Sequence, residues 1–319
     1  MGSVNLDNTG SGSAITLSSD GTSLLLDGTA IGGGGGADLY AANESSPAAQ
    51  PSATGTNAIA IGDSAVATNT GAISLGKSLA SGYTSLAAQI SNNTNTYGSK
   101  EFSSIAMSDR AKADAYYAVA IGKQTVASGT QSVSIGGGEA SSNKSISLGF
   151  DSVANGNNSV VLGTDGNARG TTGKIVFGGA GGYGDARTQS GILNLSRATT
   201  DATATDLTSG GSSVSSTNQL LLPINSAFAF TGIVVARQKV SDGTSTGAWK
   251  VEGLIRQEGT IATTTLVVST VTAISAPAGW AVALTADTTR GALVVKATGA
   301  ASTNIRWAAN ITSSEVQYA

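Results

Sequence analysis

Cysteine and histidine are both absent from the 319 residues. That removes thiol nucleophiles, His-based triads, haem ligation and most zinc sites, and a disulfide framework with them. Acid–base or nucleophilic work would fall to carboxylates, amines and hydroxyls. The 20 Asp and Glu residues are spread thinly. None recurs at a repeat position that would set it beside another at the roughly 5–10 Å that glycoside hydrolysis requires. Ser and Thr abound, but without His a Ser nucleophile would need Lys as its base, and no S-x-x-K pair is expected. Gly179-Ala180-Gly181-Gly182-Tyr183-Gly184 has the G-x-G-x-x-G spacing and follows the strand-like Lys174-Ile175-Val176-Phe177. A dinucleotide site needs an apolar helix next, whereas Asp185-Ala186-Arg187-Thr188-Gln189-Ser190-Gly191 ends at a Gly and has no helical face. The same glycines miss the calcium nonapeptide pattern in its Asp position. The expectation is a chain with no enzymatic activity, no cofactor and no metal, in which these glycines form a hinge.

The elements around these residues are β. Gly fills 43 positions, charged residues make up 12% and aromatics 5%, too many small residues for a helical protein. A repeat organises the middle of the chain. Six copies end on Gly: Ala58-Ile59-Ala60-Ile61-Gly62, Ala72-Ile73-Ser74-Leu75-Gly76, Ala118-Val119-Ala120-Ile121-Gly122, Ser132-Val133-Ser134-Ile135-Gly136, Ser145-Ile146-Ser147-Leu148-Gly149 and Ser159-Val160-Val161-Leu162-Gly163. Two degenerate copies lie between, Ser85-Leu86-Ala87-Ala88-Gln89 and Ser104-Ile105-Ala106-Met107-Ser108. The spacings are 14, 13, 19, 14, 14, 13 and 14.

In each copy small and branched residues alternate, so the branched pair shares one face of a short strand. The following glycine (Gly62, Gly76, Gly122, Gly136, Gly149, Gly163) permits the turn. A second short extended piece follows, as in Gln124-Thr125-Val126-Ala127, and another turn returns the chain. Two strands and two turns per 14 residues make one coil of a β-solenoid, and eight coils rise about 38 Å. At roughly 1.5–3 kcal/mol per buried large aliphatic, so thin a core barely offsets the entropy of ordering Gly and Ser. Packing three coils around one axis favours a homotrimer, with Ile59, Ile61, Ile73, Leu75, Ile105, Met107, Val119, Ile121, Val133, Ile135, Ile146, Leu148, Val160 and Leu162 expected as the trimer and solenoid core.

The repeat resembles the head repeats of trimeric autotransporter adhesins, over Ala58 to Gly163. That resemblance implies a left-handed parallel β-roll in a tight trimer. An autotransporter would also need a signal peptide, a heptad stalk and a membrane β-barrel segment, and no such pattern is read here; the roll occurs in phage fibres as well. The insertion Ile90–Lys100 breaks the spacing. It reads as a tolerated surface loop or as a receptor-contacting one, with Tyr97, Tyr116 and Tyr117 as candidate surface contacts.

Residues 1–33 read as short strands between Asp-Gly-type turns, an N-terminal attachment segment. Residues 34–57, Gly-, Ser- and Pro-rich, read as a linker, 58–170 as the roll and 171–217 as a connector. From about Asn218 alternating runs such as Phe228–Arg237, Trp249–Arg256 and Asn304–Ile311 predict an antiparallel β-sandwich or jelly-roll-like tip over 218–319. Trp249, Trp280 and Trp307 all fall there and read as core rather than as a sugar-stacking platform. The stretch Gly191 to Ala319, with Asn225-Ser226-Ala227-Phe228-Ala229-Phe230 and Ala248-Trp249-Lys250, resembles the C-terminal segment of tail-fibre-like proteins of marine and cyanobacterial phages.

Net charge is −3, which argues against nucleic acid as partner. Asp7, Asp20, Asp27, Asp38, Glu44 and Asp63 all precede the first basic residue, Lys77, a solvated acidic run or a docking surface for a basic partner. No secretory signal or membrane-length apolar run is visible. The expectation is an all-β chain, a trimeric roll followed by a sandwich tip. It would serve as a phage fibre or appendage in the virion, assembled in the host cytoplasm. Its partners would be two copies of itself, another virion protein through the N-terminal segment, and a host-surface glycan or protein. A capsid or tail decoration protein, a bacterial surface adhesin and a depolymerase tailspike stay open as alternatives.

Overall fold

The computed structural model describes residues 50–92, 94–179 and 187–318, with the backbone of four N-terminal strands. Those four, Val4–Leu6, Ile15–Ser19, Leu24–Leu26 and Thr29–Ala30, pair antiparallel in chain order. The expected linker up to position 49, and the acidic residues Asp7, Asp20, Asp27, Asp38 and Glu44, lie outside the described residues.

Residues 52–178 build the solenoid. Its longer strands stack in parallel and in register, from Ile59–Ile61 through Val160–Leu162 to Ile175–Gly178, so that Ile59 aligns with Ile73 and Val119 with Val133. Two-residue strands, Ser52–Ala53 to Val153–Ala154, form the opposite parallel sheet. The space between the two sheets of one coil is filled mostly by small side chains, with Val161 and Val176 inward on the last two long rungs and Ile90 buried beside the alanines. Ser74, Ala87, Ala106, Ala120, Ser134 and Ser147 face inward and are fully buried, and so are Ala67, Ala80, Ala113, Ala127 and Ala140 across from them. The inward hydroxyls are satisfied locally: Ser74 Oγ donates to the Ser78 carbonyl at 2.8 Å and Ser134 Oγ to the Gly138 carbonyl at 2.8 Å.

This corrects the expected interior. The fourteen branched residues expected as its core do not fill the solenoid; they stand on its outer face, because coils lined mostly by Ala and Ser have little room for an Ile or Leu at each inward position.

The sandwich follows. One sheet runs in the order Thr265–Ser275, Thr246–Gln257, Ser226–Gln238, Ile305–Gln317, Thr188–Thr199, all antiparallel. The second is built on Ala292–Thr298, flanked by Ala281–Asp287 on one edge and by Thr205–Asp206 and Leu220–Leu221 on the other. Strict alternation explains the layering: along Ile305–Gln317 every odd residue from Ile305 to Glu315 is buried. Phe228, Phe230, Trp249, Ile255, Trp307 and Ile311 meet Leu207, Leu220, Trp280, Leu293 and Val295 in one core. No α-helix occurs among the described residues; Ile261–Thr263 is a single 3-10 turn.

Three expected boundaries shift. Ser52–Ala53, assigned to the linker, is a rung of the solenoid. Ile175–Gly178, assigned to the connector, is its ninth long rung. Thr188–Thr199, also assigned to the connector, is the twelve-residue strand between roll and sandwich. Roll and sandwich are joined by strand pairing, Ile175 opposite Ile192 and Phe177 opposite Ser190. Residues 180–186, which hold most of the G-x-G-x-x-G match and of the expected hinge, lie outside the described residues.

Candidate functional site

Stacking in register turns the alternating pattern into two outward columns. The first is Ile59, Ile73, Leu86, Ile105, Val119, Val133, Ile146, Val160 and Ile175; the second is Ile61, Leu75, Ala88, Met107, Ile121, Ile135, Leu148, Leu162 and Phe177. All but Ala88 are half-buried or exposed, with Ile59 at 46%, Met107 at 37%, Ile135 at 40% and Phe177 at 45%. The fourteen residues singled out from sequence are thus brought together, as an uncovered apolar face. Leu86, Ile175 and Phe177 extend it; the strand-like alternation of Lys174–Phe177 was the signal for the last two.

Left-handed backbone sets the corners. Gly62, Gly76, Gly122, Gly136, Gly149 and Gly163 all have positive φ, and Gln89 and Ser108 hold the equivalent place in the degenerate copies with φ of 52° and 89°. At Gly149 (φ 149°) a Cβ would lie 2.0 Å from the Gly163 carbonyl oxygen, so there the requirement is both conformational and steric. The opposite corner repeats a left-handed residue from Asn57 through Tyr117 to Asn158.

That second corner carries an aromatic ladder. Tyr83 stacks on Phe102 with centroids 5.1 Å apart, and Phe102 meets Tyr117 edge-on at 5.5 Å. All three are exposed, as is Tyr116. Of the expected contact residues, Tyr116 and Tyr117 lie on this surface; Tyr97 is instead half-buried against the alanine interior. The insertion is anchored at both ends, Ile90 being fully buried and Gly98–Ser99 returning as a rung beside Lys112–Ala113. Tyr83 and Phe102 escaped the sequence reading, although aligning the turns by the repeat puts them in register with Tyr116.

Where the last coil meets the sandwich, one carboxylate is fully buried. Glu315 receives Lys174 Nζ at 2.6 Å, Gln189 Nε2 at 2.6 Å and Ser313 Oγ at 2.6 Å, with Arg169 Nε at 3.6 Å. Lys174 Nζ and the Arg169 guanidinium lie 5.5 and 5.9 Å from the centre of the Phe228 ring. Burial lowers the Lys174 and Arg169 pKa values, and the Glu315 charge opposes that shift in both. The cluster ties the roll to the tip, and nothing in the sequence linked Gln189 to a residue 126 positions away. No group of three acidic residues able to hold a metal occurs among the described residues.

Two further sequence features find places without chemistry. Against the expectation of no S-x-x-K pair, Ser74 with Lys77 and Ser141 with Lys144 have that spacing. Ser74 Oγ points into the solenoid, spent on the Ser78 carbonyl, while Lys77 is exposed; Lys144 occupies a left-handed corner (φ 56°) and is exposed too. Trp249, Trp280 and Trp307 are buried, as expected, with Trp307 5.4 and 5.7 Å from the other two and its Nε1 donating to Thr199 Oγ1 at 2.9 Å.

Comparison with known proteins agrees with the repeat. Residues 53–78, 113–138 and 140–165 match the YadA head domain repeat. No curated protein matches the chain. Among solved structures, the tailspike gp49 of Acinetobacter baumannii bacteriophage Fri1, a capsular polysaccharide depolymerase, aligns at 9% identity over 77% of this chain and 40% of its own, with a TM-score of 0.22. The tailspike of Acinetobacter baumannii phage AM24 aligns at 10% identity over 81% and 54%, with a TM-score of 0.21. The chain thus spans 40% to 54% of the length of these tailspikes.

Proposed function

We propose that the chain is a homotrimeric fibre or appendage protein of a bacteriophage virion, a rigid roll that displays a sandwich tip and its own side surface for adhesion to a host cell. The observation that carries the trimer is the outward apolar face of nine rungs. Covering the exposed half of each Ile, Val or Leu is worth about 1 kcal/mol. More than a dozen of them give on the order of 10 kcal/mol per chain, against an isolated roll whose interior is mostly Ala and Ser. The match to an adhesin-type head repeat supports the same assembly. Adhesion would proceed through many weak contacts multiplied threefold, and the aromatic ladder of Tyr83, Phe102 and Tyr117 offers a flat apolar surface suited to them. The phage assignment rests on the sequence resemblance of the C-terminal segment, and the reading is of a non-enzymatic protein.

Light scattering beside an unheated SDS gel tests the trimer: a mass of three chains that survives SDS supports it, and a monomer overturns it. Labelled trimer should then bind host cells, immunolabelling should place it on virions, and host envelope should release no reducing sugar. Release of reducing ends would replace this reading with a depolymerase.

A further inference from the structure

The sandwich holds a second kind of surface, at the strand ends remote from the last coil. Arg237 and Arg306 lie directly opposite one another on the adjacent strands Ser226–Gln238 and Ile305–Gln317, both exposed. Like charges placed this way repel, and the sheet gains nothing visible from the pair. With Lys239 they line a cleft of about 620 Å³, completed by Gln238, Ser241 and Asn304.

Among the described residues, much of the tip's other positive charge is paired, although Arg197, which donates to the Gly211 carbonyl at 2.9 Å, is not. Lys250, Arg256, Arg290 and Lys296 each sit within 4 Å of a carboxylate, from Glu252, Glu258, Asp287 and Asp206 respectively. Among the described residues, Arg237, Lys239 and Arg306 have no carboxylate so close. Arg237 donates to the Thr244 carbonyl, at 3.3 Å. The neighbouring carboxylate, Asp242, is engaged: Asn304 donates to it from Nδ2 at 2.7 Å and from its backbone at 3.2 Å, and Ser241 Oγ donates at 2.8 Å. Those hydrogen bonds, Asn304 first, hold the Asp242 pKa below its usual value, with Lys239 adding a smaller electrostatic pull. Three cations thus face the cleft beside one occupied carboxylate.

We infer that this cleft binds the carboxylate of an acidic saccharide, a uronic-acid-type residue of a surface polysaccharide. Two guanidiniums side by side suit a planar carboxylate held by paired N–H donors, and the volume suits one or two sugar rings. An acidic peptide fits less well. The cleft opens beside central strands already paired on both edges, so it offers no free main-chain ladder for an extended peptide. The inference rests on the adhesion reading for its biological sense, but not for its geometry.

The test uses the full chain and oligogalacturonate as probe, with neutral galacto-oligosaccharide, a sulfated oligosaccharide and a poly-glutamate peptide in parallel, by calorimetry at low and at physiological salt. Oligogalacturonate should bind, weaken with salt, and lose about tenfold or more in affinity in Arg306→Ser and in Arg237→Ser. Arg306→Lys should recover only part of it, since an ammonium cannot form the paired contact. Both sites are exposed, and an unchanged melting temperature verifies the fold. Equal binding by the wild type and the Arg237→Ser/Arg306→Ser variant, or no binding by either, overturns the inference. So does preference for the sulfated probe or the peptide. If the double variant still attaches to host cells as wild type does, the cleft fails while adhesion stands. If the wild type binds oligogalacturonate but no host cell, adhesion fails while the cleft stands.

Discussion

Replacing Glu315 by Gln keeps the shape of the side chain and removes its charge. The side chain is fully buried and accepts three contacts of 2.6 Å, from Lys174, Gln189 and Ser313. Its amide nitrogen would turn a donor toward Lys174 or Arg169, which can only donate. Lys174, fully buried, and Arg169, nearly so, would lose the carboxylate they face. Breaking a buried pair from one side costs about 3–5 kcal/mol. With a urea slope of about 1.5–2 kcal/mol/M for a domain of this size, the unfolding midpoint should fall by about 2 M. All three tryptophans are in the sandwich core, so their fluorescence at fixed protein concentration reports the tip. The sign of the pH dependence follows from burial, which holds the Lys174 pKa below its unfolded value. A lysine of this kind weakens the fold while both states are charged, and the penalty fades as pH rises toward the ordinary lysine value of about 10.4. Without Glu315 the depression deepens, so the deficit of Glu315→Gln should narrow as pH rises toward about 10. Adding Lys174→Met should recover much of it at neutral pH, because a neutral pair of similar volume replaces an orphaned charge. A midpoint shift below about 0.5 M, or a deficit that grows with pH, would refute the assignment of this cluster as the clamp between roll and tip.

Other outcomes follow from single features. Val133→Asp with Ile146→Asp puts two carboxylates on adjacent rungs of the apolar face, and the mass by light scattering should drop from three chains to one. Gly98 has φ 98° and space for no Cβ, which would lie 2.2 Å from the Leu79 carbonyl oxygen; Gly98→Ala should cost about 1–3 kcal/mol, read as a lower melting temperature. Thr199→Val removes the acceptor of the buried Trp307 Nε1 and should lower tip stability by about 1–3 kcal/mol in urea. Changing Tyr83, Phe102 and Tyr117 together to Ser should reduce host-cell attachment without altering the trimer mass, and unchanged attachment would exclude the aromatic ladder as a contact surface.

The solenoid was legible because its information is local and repeated. Alternation and a corner residue, glycine in six of eight copies, at spacings of 13 or 14 residues save for one of 19 define strand, corner and register, and register is what aligns Ile59 with Ile73. The direction each side chain faces was not legible. Period two says that Val119 and Ile121 share a face, opposite Ala120, but not which face is inside; the width of the coil decides that. The sandwich core was readable from the phase of Trp249 with Val251 and Ile255. The strand Thr188–Thr199 was missed because its inward positions hold Gln189, Gly191 and Thr199 beside Leu193 and Leu195, while Ile192 stands on the other face, so the apolar alternation is broken. Two sites joined across the fold, Lys174 with Glu315 and Arg237 with Arg306, lie beyond any local pattern, since tertiary pairing alone makes them neighbours.

The unbroken sheet from Thr265–Ser275 down to Ile59–Ile61 also has a mechanical meaning. Its inter-strand hydrogen bonds point along the stacking direction, so tension applied from the sandwich along the roll loads them end-on, one rung after another, rather than in shear across many at once. A rung of the roll holds only three residues on one side and two on the other. Once peeled, a coil of about 14 residues would release about 45–50 Å of chain in place of one rise of about 4.8 Å. A lone roll would therefore yield as a spool under axial load, and lateral contacts along its apolar face would be what makes it a strut.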